Sequence, residues 1–221
     1  FVSFALAVAF SILLTMTVAL IGNAILPFVG VQSPLRPPVL YLEMLMLVLV
    51  LSVSLLYSSR RDRSAFLPML RMEPERMRDF LVAMFPSVFA LQAIVGAFHL
   101  NNGGDGAIVV ALLAEITVFL AYLVIGAKRH SDTAIAIAVS LVALALLLMT
   151  SMRGWFITGH DIQREFQVFM LAEKNGIWSM AAYRDAYNAC LSITILPAIY
   201  GAFLRIPDVY VFKFVFQLFF A

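Results

Sequence analysis

Five apolar runs, each long enough to cross a bilayer, constrain this chain more than any other feature. Short links rich in charge, glycine or proline separate them. A helix needs about 20 consecutive apolar residues to span the hydrocarbon core of a membrane. The sequence therefore predicts an all-α integral membrane protein with five complete transmembrane helices at about 2–28, 39–57, 80–100, 107–127 and 133–152.

The composition supports this fold class. Of the 221 residues, 63% are hydrophobic and 13% are charged, whereas soluble domains average about 45–50% apolar and about 25% charged residues. The net charge of +2 is small and the basic residues lie in the links, which excludes a nucleic-acid partner. The single cysteine, Cys190, excludes an internal disulfide.

The ends of the chain indicate a fragment of a longer protein. It begins at Phe1 rather than Met and ends at Ala221 inside an apolar run. We interpret residues 208–221 as the start of a further transmembrane helix, so that the domain organisation is a membrane region (1–152), a long loop (153–207) and a truncated sixth span (208–221).

The charges of the links predict the orientation. Six and two Lys and Arg residues follow the second and fourth spans, against one and none after the first and third. Cytoplasmic links are enriched in these residues, so we place the N-terminal end in the cytoplasm and the loop 153–207 outside. The setting we expect is a prokaryotic cell membrane, with membrane lipids as partners and an oligomeric state that the sequence leaves open.

The outer loop opens with a polar, helix-forming segment, Thr158–Lys174. Ile162, Phe166, Phe169 and Met170 recur at helical spacing on one face, and Asn175-Gly176 is a helix stop. The pattern predicts an amphipathic helix lying along the membrane surface.

Three residues at the start of this helix are candidates for chemistry: His160, Asp161 and Glu165. Asp161 stands at the expected N-cap position, and an acidic first turn stabilises a helix in its own right. The same carboxylates suit acid–base catalysis. With His160 they also offer ligands for zinc or manganese, so a divalent metal stays open, although no cofactor is required.

Polar side chains in this helix and after it are candidates for binding a sugar or a phosphate. Tyrosine and asparagine offer hydroxyl and amide groups, and arginine and lysine pair with phosphate oxygens. The candidate substrate-binding residues are His160, Arg164, Arg184, Tyr187, Asn188, Tyr200 and Lys213.

Two carboxylates fall within the predicted spans. Glu115 lies near the middle of the fourth span, where an ionisable group is costly and should face protein, a cavity or a partner. Glu43 lies one turn into the second span, close enough to the interface that we assign it no function.

The acidic motif in an outer loop, followed by a Pro-x-x-Tyr segment, resembles the GT-C membrane glycosyltransferases. TGHDIQREFQVF, NACLSITILPAIYGAF and VFKFVF are similar to an uncharacterised family of large membrane proteins with a GT-C-like core, over about residues 142–221. The resemblance implies transfer of a sugar from a polyprenyl-phosphate-linked donor. It also implies that Asp161 is the catalytic base, Glu165 a second acid, and Pro197–Tyr200 a segment that shapes the helix.

Two other functions stay open at this point. A transporter or flippase for lipid-linked saccharides would use Glu115 as its coupling group. A non-catalytic membrane scaffold would have only structural charges.

Overall fold

The computed structural model of the chain describes residues 2–58 and 74–221. The predicted charged link after the second span therefore lies largely outside the described residues, including Arg60, Arg61, Arg63 and Arg71. Within the described ranges all regular structure is helical and no strand occurs.

The described residues form α-helices that are numbered in chain order. They are α1 (Val2–Ile25), α2 (Pro37–Ser58), α3 (Pro74–Met84), α4 (Ser87–Asn101), α5 (Ala107–Gly126), α6 (Asp132–Ser151), α7 (His160–Asn175), α8 (Ala186–Ala189), α9 (Leu191–Leu204), α10 (Asp208–Tyr210) and α11 (Phe216–Phe220). Short 3-10 segments follow α1 at Leu26–Val29 and α5 at Ala127–Arg129, and a π-helical segment, Val211–Val215, joins α10 to α11.

Five helical stretches of the described chain are long and apolar enough to cross a membrane, which confirms the predicted fold class. They are Ala5–Val29, Pro37–Tyr57, Met77–Asn101, Ala107–Arg129 and Asp132–Ser151. The third is divided at Phe85–Pro86 into α3 and α4, because proline lacks the amide hydrogen that would continue the helix. A sixth candidate consists of two halves, Leu191–Leu204 and Asp208–Phe219, bent at the break between them.

The chain forms two compact units. Among the described residues, one comprises 74–156 and 212–221, in which α6 packs against α3, α4 and α11, and α4 packs against α5. Both α4 and α6 bury alanines, including Ala93, Ala97, Ala138 and Ala145. Small residues let helix backbones approach closely in a membrane. The Asn101 amide donates to the Met152 carbonyl (3.0 Å) and accepts from the Gly154 amide (2.7 Å), which ties the end of α4 to the end of α6.

The other unit comprises the described residues 2–58 and 157–211. Here α9 packs against α1, α2 and α7. Its core includes Ala19, Leu40, Ala172, Ile195 and Ile199. This differs from the predicted loop of surface helices, since α9 buries Thr194–Ile199 against the helices of two membrane spans.

Pro197 lies inside α9 and does not end it. The helix runs through it to Leu204 and closes at Arg205, whose φ of +53° is left-handed. The break falls at 205–207 instead, where the non-helical Ile206 precedes a second proline.

One asparagine ties α1 to the segment after α7. The Asn23 side chain is 7% exposed, donates to the Trp178 carbonyl (2.9 Å) and accepts from the Trp178 amide (2.8 Å). Leu35 donates its amide to the Gly176 carbonyl (2.8 Å) nearby. The link between α1 and α2 and the C-terminal end of α7 therefore lie at one end of this unit.

Replacing Asn23 with alanine should lower the stability of the protein in detergent. Two backbone groups of Trp178 would lose their partner, at a cost of about 1–3 kcal/mol. Asn102→Ala is the matched control, because the exposed Asn102 amide bonds only to Phe98 of its own helix. We expect a lower midpoint of thermal unfolding for Asn23→Ala alone. Equal shifts in both variants would contradict the role of Asn23.

Candidate functional site

The buried face of α7 is centred on Phe169. Val168, Phe169 and Ala172 are buried, and Glu165 precedes them by three, four and seven residues, so it lies on the same face. Met170, predicted to belong to that face, is instead 37% exposed. The predicted amphipathic helix is present, but its apolar stripe is rotated toward Glu165.

Asp161 does not cap α7. The N-cap position is occupied by Gly159 with a φ of +128°, and Asp161 is the second residue of the helix. The expectation of an N-cap at Asp161 was wrong, because Thr158-Gly159 makes the turn and the helix begins at His160, two residues earlier than an N-cap at Asp161 requires. The Asp161 side chain is 75% exposed and available to other groups.

Tyr187 brings its hydroxyl to Asp161. The pKa of Tyr187 is raised, first by its side-chain hydrogen bond to the Asp161 carboxylate and then by burial and by the charges of Asp161, Glu165 and Asp185. Its backbone amide donates to Asp185 Oδ1 (2.9 Å), which caps α8. The short helix α8 thus positions the phenol against the start of α7.

Glu165 is the partly buried carboxyl of the group. Burial raises its pKa, and the neighbouring charge of Asp161 raises it further. Glu165 therefore keeps a proton to a higher pH than an ordinary glutamate. The first two turns of α7 place an exposed carboxylate and a more easily protonated one beside a phenolic hydroxyl.

Arg164 is engaged with neighbouring side chains. Its Nη2 donates to Asp185 Oδ2 (2.9 Å), and its guanidinium lies 5.4 Å from the centre of the Tyr183 ring. The hydrogen bond lowers the pKa of Asp185 and raises that of Arg164. Arg164 was predicted to bind substrate, whereas here it fixes the segment that carries Tyr187. Asp185 and Tyr183 were not predicted as part of the site, and the Tyr-Arg-Asp run at 183–185 was the signal that could have indicated them.

The other predicted binding residues on this unit differ in exposure. The His160 side chain is fully exposed, with Nδ1 3.3 Å from Asp161 Oδ1. Arg184 is exposed next to the Arg164–Asp185 pair, and Tyr200 is half-buried on α9.

Asn188 and Lys213 do not have the free donors that substrate binding requires. Asn188 is 4% exposed, and its amide donates to the carbonyls of Ser179 (3.0 Å) and Tyr183 (2.7 Å). The Lys213 ammonium is buried and donates to three carbonyls, at 2.7–3.0 Å. An ammonium has three donors and an amide nitrogen has two. Both residues therefore hold backbone in place, and their roles as substrate contacts stay predictions.

The sequence offers His160, Asp161 and Glu165 as candidate metal ligands. In the part of the chain that the structure describes, no group of three or more His, Cys, Asp and Glu side chains is arranged to hold a metal ion. The three residues share the start of α7 without forming such a cluster.

Comparison of the chain with models of known protein families, with curated proteins and with solved structures gives no match. The GT-C resemblance and the roles carried over with it stay predictions.

Replacing Lys213 with methionine should destabilise the protein. The carbonyls of Arg153, Gly154 and Phe156 would lose their common donor, at a cost of about 1–3 kcal/mol. Lys128→Met, at an exposed lysine, is the control. Thermal unfolding in detergent is the measurement. Normal stability with lost substrate binding in Lys213→Met would restore the predicted binding role.

Proposed function

We propose that the chain is part of a membrane glycosyltransferase of GT-C type. It would transfer a sugar from a polyprenyl-phosphate-linked donor to an acceptor hydroxyl on the extracytoplasmic side. The observation that supports this most is the grouping of Asp161, Glu165 and the Tyr187 hydroxyl on α7 and α8, directly after the fifth span. The motif TGHDIQREFQVF, on which the resemblance depends, begins two residues before α7.

In this proposal Asp161 is the general base. Its carboxylate removes the acceptor proton while the acceptor oxygen forms a bond to the anomeric carbon. The bond from that carbon to the phosphate oxygen breaks, and its electron pair leaves with the polyprenyl phosphate. The interaction of the Tyr187 hydroxyl with Asp161 would help to position this carboxylate, because a general base must lie within hydrogen-bond reach of the proton that it removes.

Glu165 tunes this base through its charge. An ionised Glu165 next to Asp161 favours the uptake of the acceptor proton by Asp161, because two like charges at close range repel. When Glu165 is itself protonated, that assistance is lost.

The cationic side chains suited to the donor phosphate are Arg184 and, when protonated, His160. His160 is exposed beside Asp161, and Arg184 is exposed next to Asp185 in the sequence. Arg164 would act indirectly, through its bond to Asp185 and hence on the position of Tyr187. Tyr200 stays a proposed sugar contact.

Replacing Asp161 with asparagine should lower sugar transfer by about 10²–10⁴-fold, the usual contribution of a positioned base. Asp132→Asn is the matched control, because Asp132 is also an acidic residue in the first turn of a helix. Sugar transfer by the purified protein in lipid, with a polyprenyl-phosphate sugar, is the measurement. Unchanged turnover in Asp161→Asn would contradict the proposal, and substrate-dependent proton flux lost in Glu115→Gln would favour the transporter instead.

The pH profile of turnover should reflect Glu165. Its raised pKa means that the carboxyl is ionised only above that value, so the rate should fall as the pH is lowered through it. Glu165→Gln should remove this acidic limb and leave a lower, flatter rate. Glu173→Gln, on the same helix, serves as the control. A profile unaltered by Glu165→Gln would exclude the tuning role.

A further inference from the structure

The carboxylate oxygens of Glu43 are inaccessible, which its sequence position did not predict. It lies about 9 Å along α2 from Pro37, at 1.5 Å per residue, within the second span. Instead of reaching toward the interface, its carboxylate lies against α1. Both oxygens are inaccessible, and neither has a hydrogen-bond partner among the described residues.

The carboxylate occupies the space that a side chain at position 22 would need. A Cβ added to Gly22 would overlap Glu43 Oε1 and lie 2.6 Å from its Cδ. The absence of a side chain at Gly22 thus creates the place where the carboxyl sits. This close contact between α1 and α2 depends on the pair of residues together.

The surroundings of Glu43 are apolar. It lines a groove of about 580 Å³ with residues of α1, α2 and the link between them, and the other lining residues carry no polar side chain. Ile21, Leu42, Met46 and Val50 on the groove are 51–60% exposed, so it opens to the outside of the helices. In a bilayer that side faces lipid.

The described elements around Glu43 provide no charged partner. α1 has no ionisable residue, and the ionisable side chain of α9 is Tyr200. On α2 itself the others are Tyr41, whose hydroxyl donates to the Ala202 carbonyl, and Tyr57. Arg36 precedes α2 and donates instead to the Lys174 carbonyl at 3.4 Å.

We propose that Glu43 is a proton-binding site inside the membrane, held in its neutral carboxylic-acid form and reached from lipid through this groove. An isolated carboxylate in an apolar medium is far more costly than a neutral polar group, and such a group takes up a proton instead. The inference is independent of the proposed sugar transfer.

Carbodiimides test the proposal, because they react with a protonated carboxyl. The acid proton moves to a carbodiimide nitrogen, and the carboxyl oxygen bonds to the central carbon. The full-length protein in lipid vesicles is treated at neutral pH with dicyclohexylcarbodiimide or with a water-soluble carbodiimide, and the adducts are mapped by mass spectrometry. Asp161 on the exposed start of α7 is the internal reference for water-accessible carboxylates.

We expect the hydrophobic reagent to label Glu43 and the water-soluble one to label Asp161 but not Glu43. Glu43→Gln should lose the adduct. Gly22→Ala should reduce it several-fold by displacing the carboxyl, while Gly106→Ala, where an added Cβ meets nothing within 4 Å, should not. Labelling of Glu43 by the water-soluble reagent as fast as Asp161, or by neither reagent, would overturn the proposal.

Discussion

The structure depends on one constraint: a backbone polar group away from water must find its partner inside the protein. Helices satisfy this along their length, but their ends and the links between them do not. The buried polar side chains of the described chain are Asn23, Asn188, Thr194 and Lys213, and each of them hydrogen-bonds to backbone. Buried polarity here completes the hydrogen bonding of main-chain segments that helices leave open.

This use of buried side chains determines what is available for chemistry. Asn188 anchors the turn that contains Tyr183 and lies next to Tyr187, and the Arg164–Asp185 pair fixes the same turn from α7. Held in this way, Tyr187 presents its hydroxyl to Asp161. The carboxylates of the exposed Asp161 and the half-buried Glu165 are not used to hold backbone groups. They therefore suit the proposed reaction better than the side chains of Asn188 or Lys213. Glu43 is the exception within the spans, since its buried carboxylate serves no backbone group.

The sequence predicted the five spans and the end of α7 at Gly176 because these features are local. Hydropathy over 20 residues, or a glycine with left-handed φ, needs no knowledge of the rest of the chain. The rotation of the α7 stripe toward Glu165 depends on the packing of α9, and the three carbonyls that Lys213 binds lie 57–60 residues away in the chain. Asp161, Glu165 and Tyr187 were all identified as candidates, but the interaction of the Tyr187 hydroxyl with Asp161 depends on how α8 packs and could not be read from the sequence. Similarly, only the contact with Gly22 reveals that Glu43 turns away from the interface.

We propose above that the start of α7 receives the reacting end of a lipid-linked sugar. An experimental structure of the full-length protein with a bound polyprenyl-phosphate sugar analogue tests it most directly. We expect the anomeric carbon to lie beside the Asp161 carboxylate, close enough for an acceptor hydroxyl to fit between the two. The phosphate should point toward Arg184. An analogue whose sugar and phosphate lie away from α7 would contradict it.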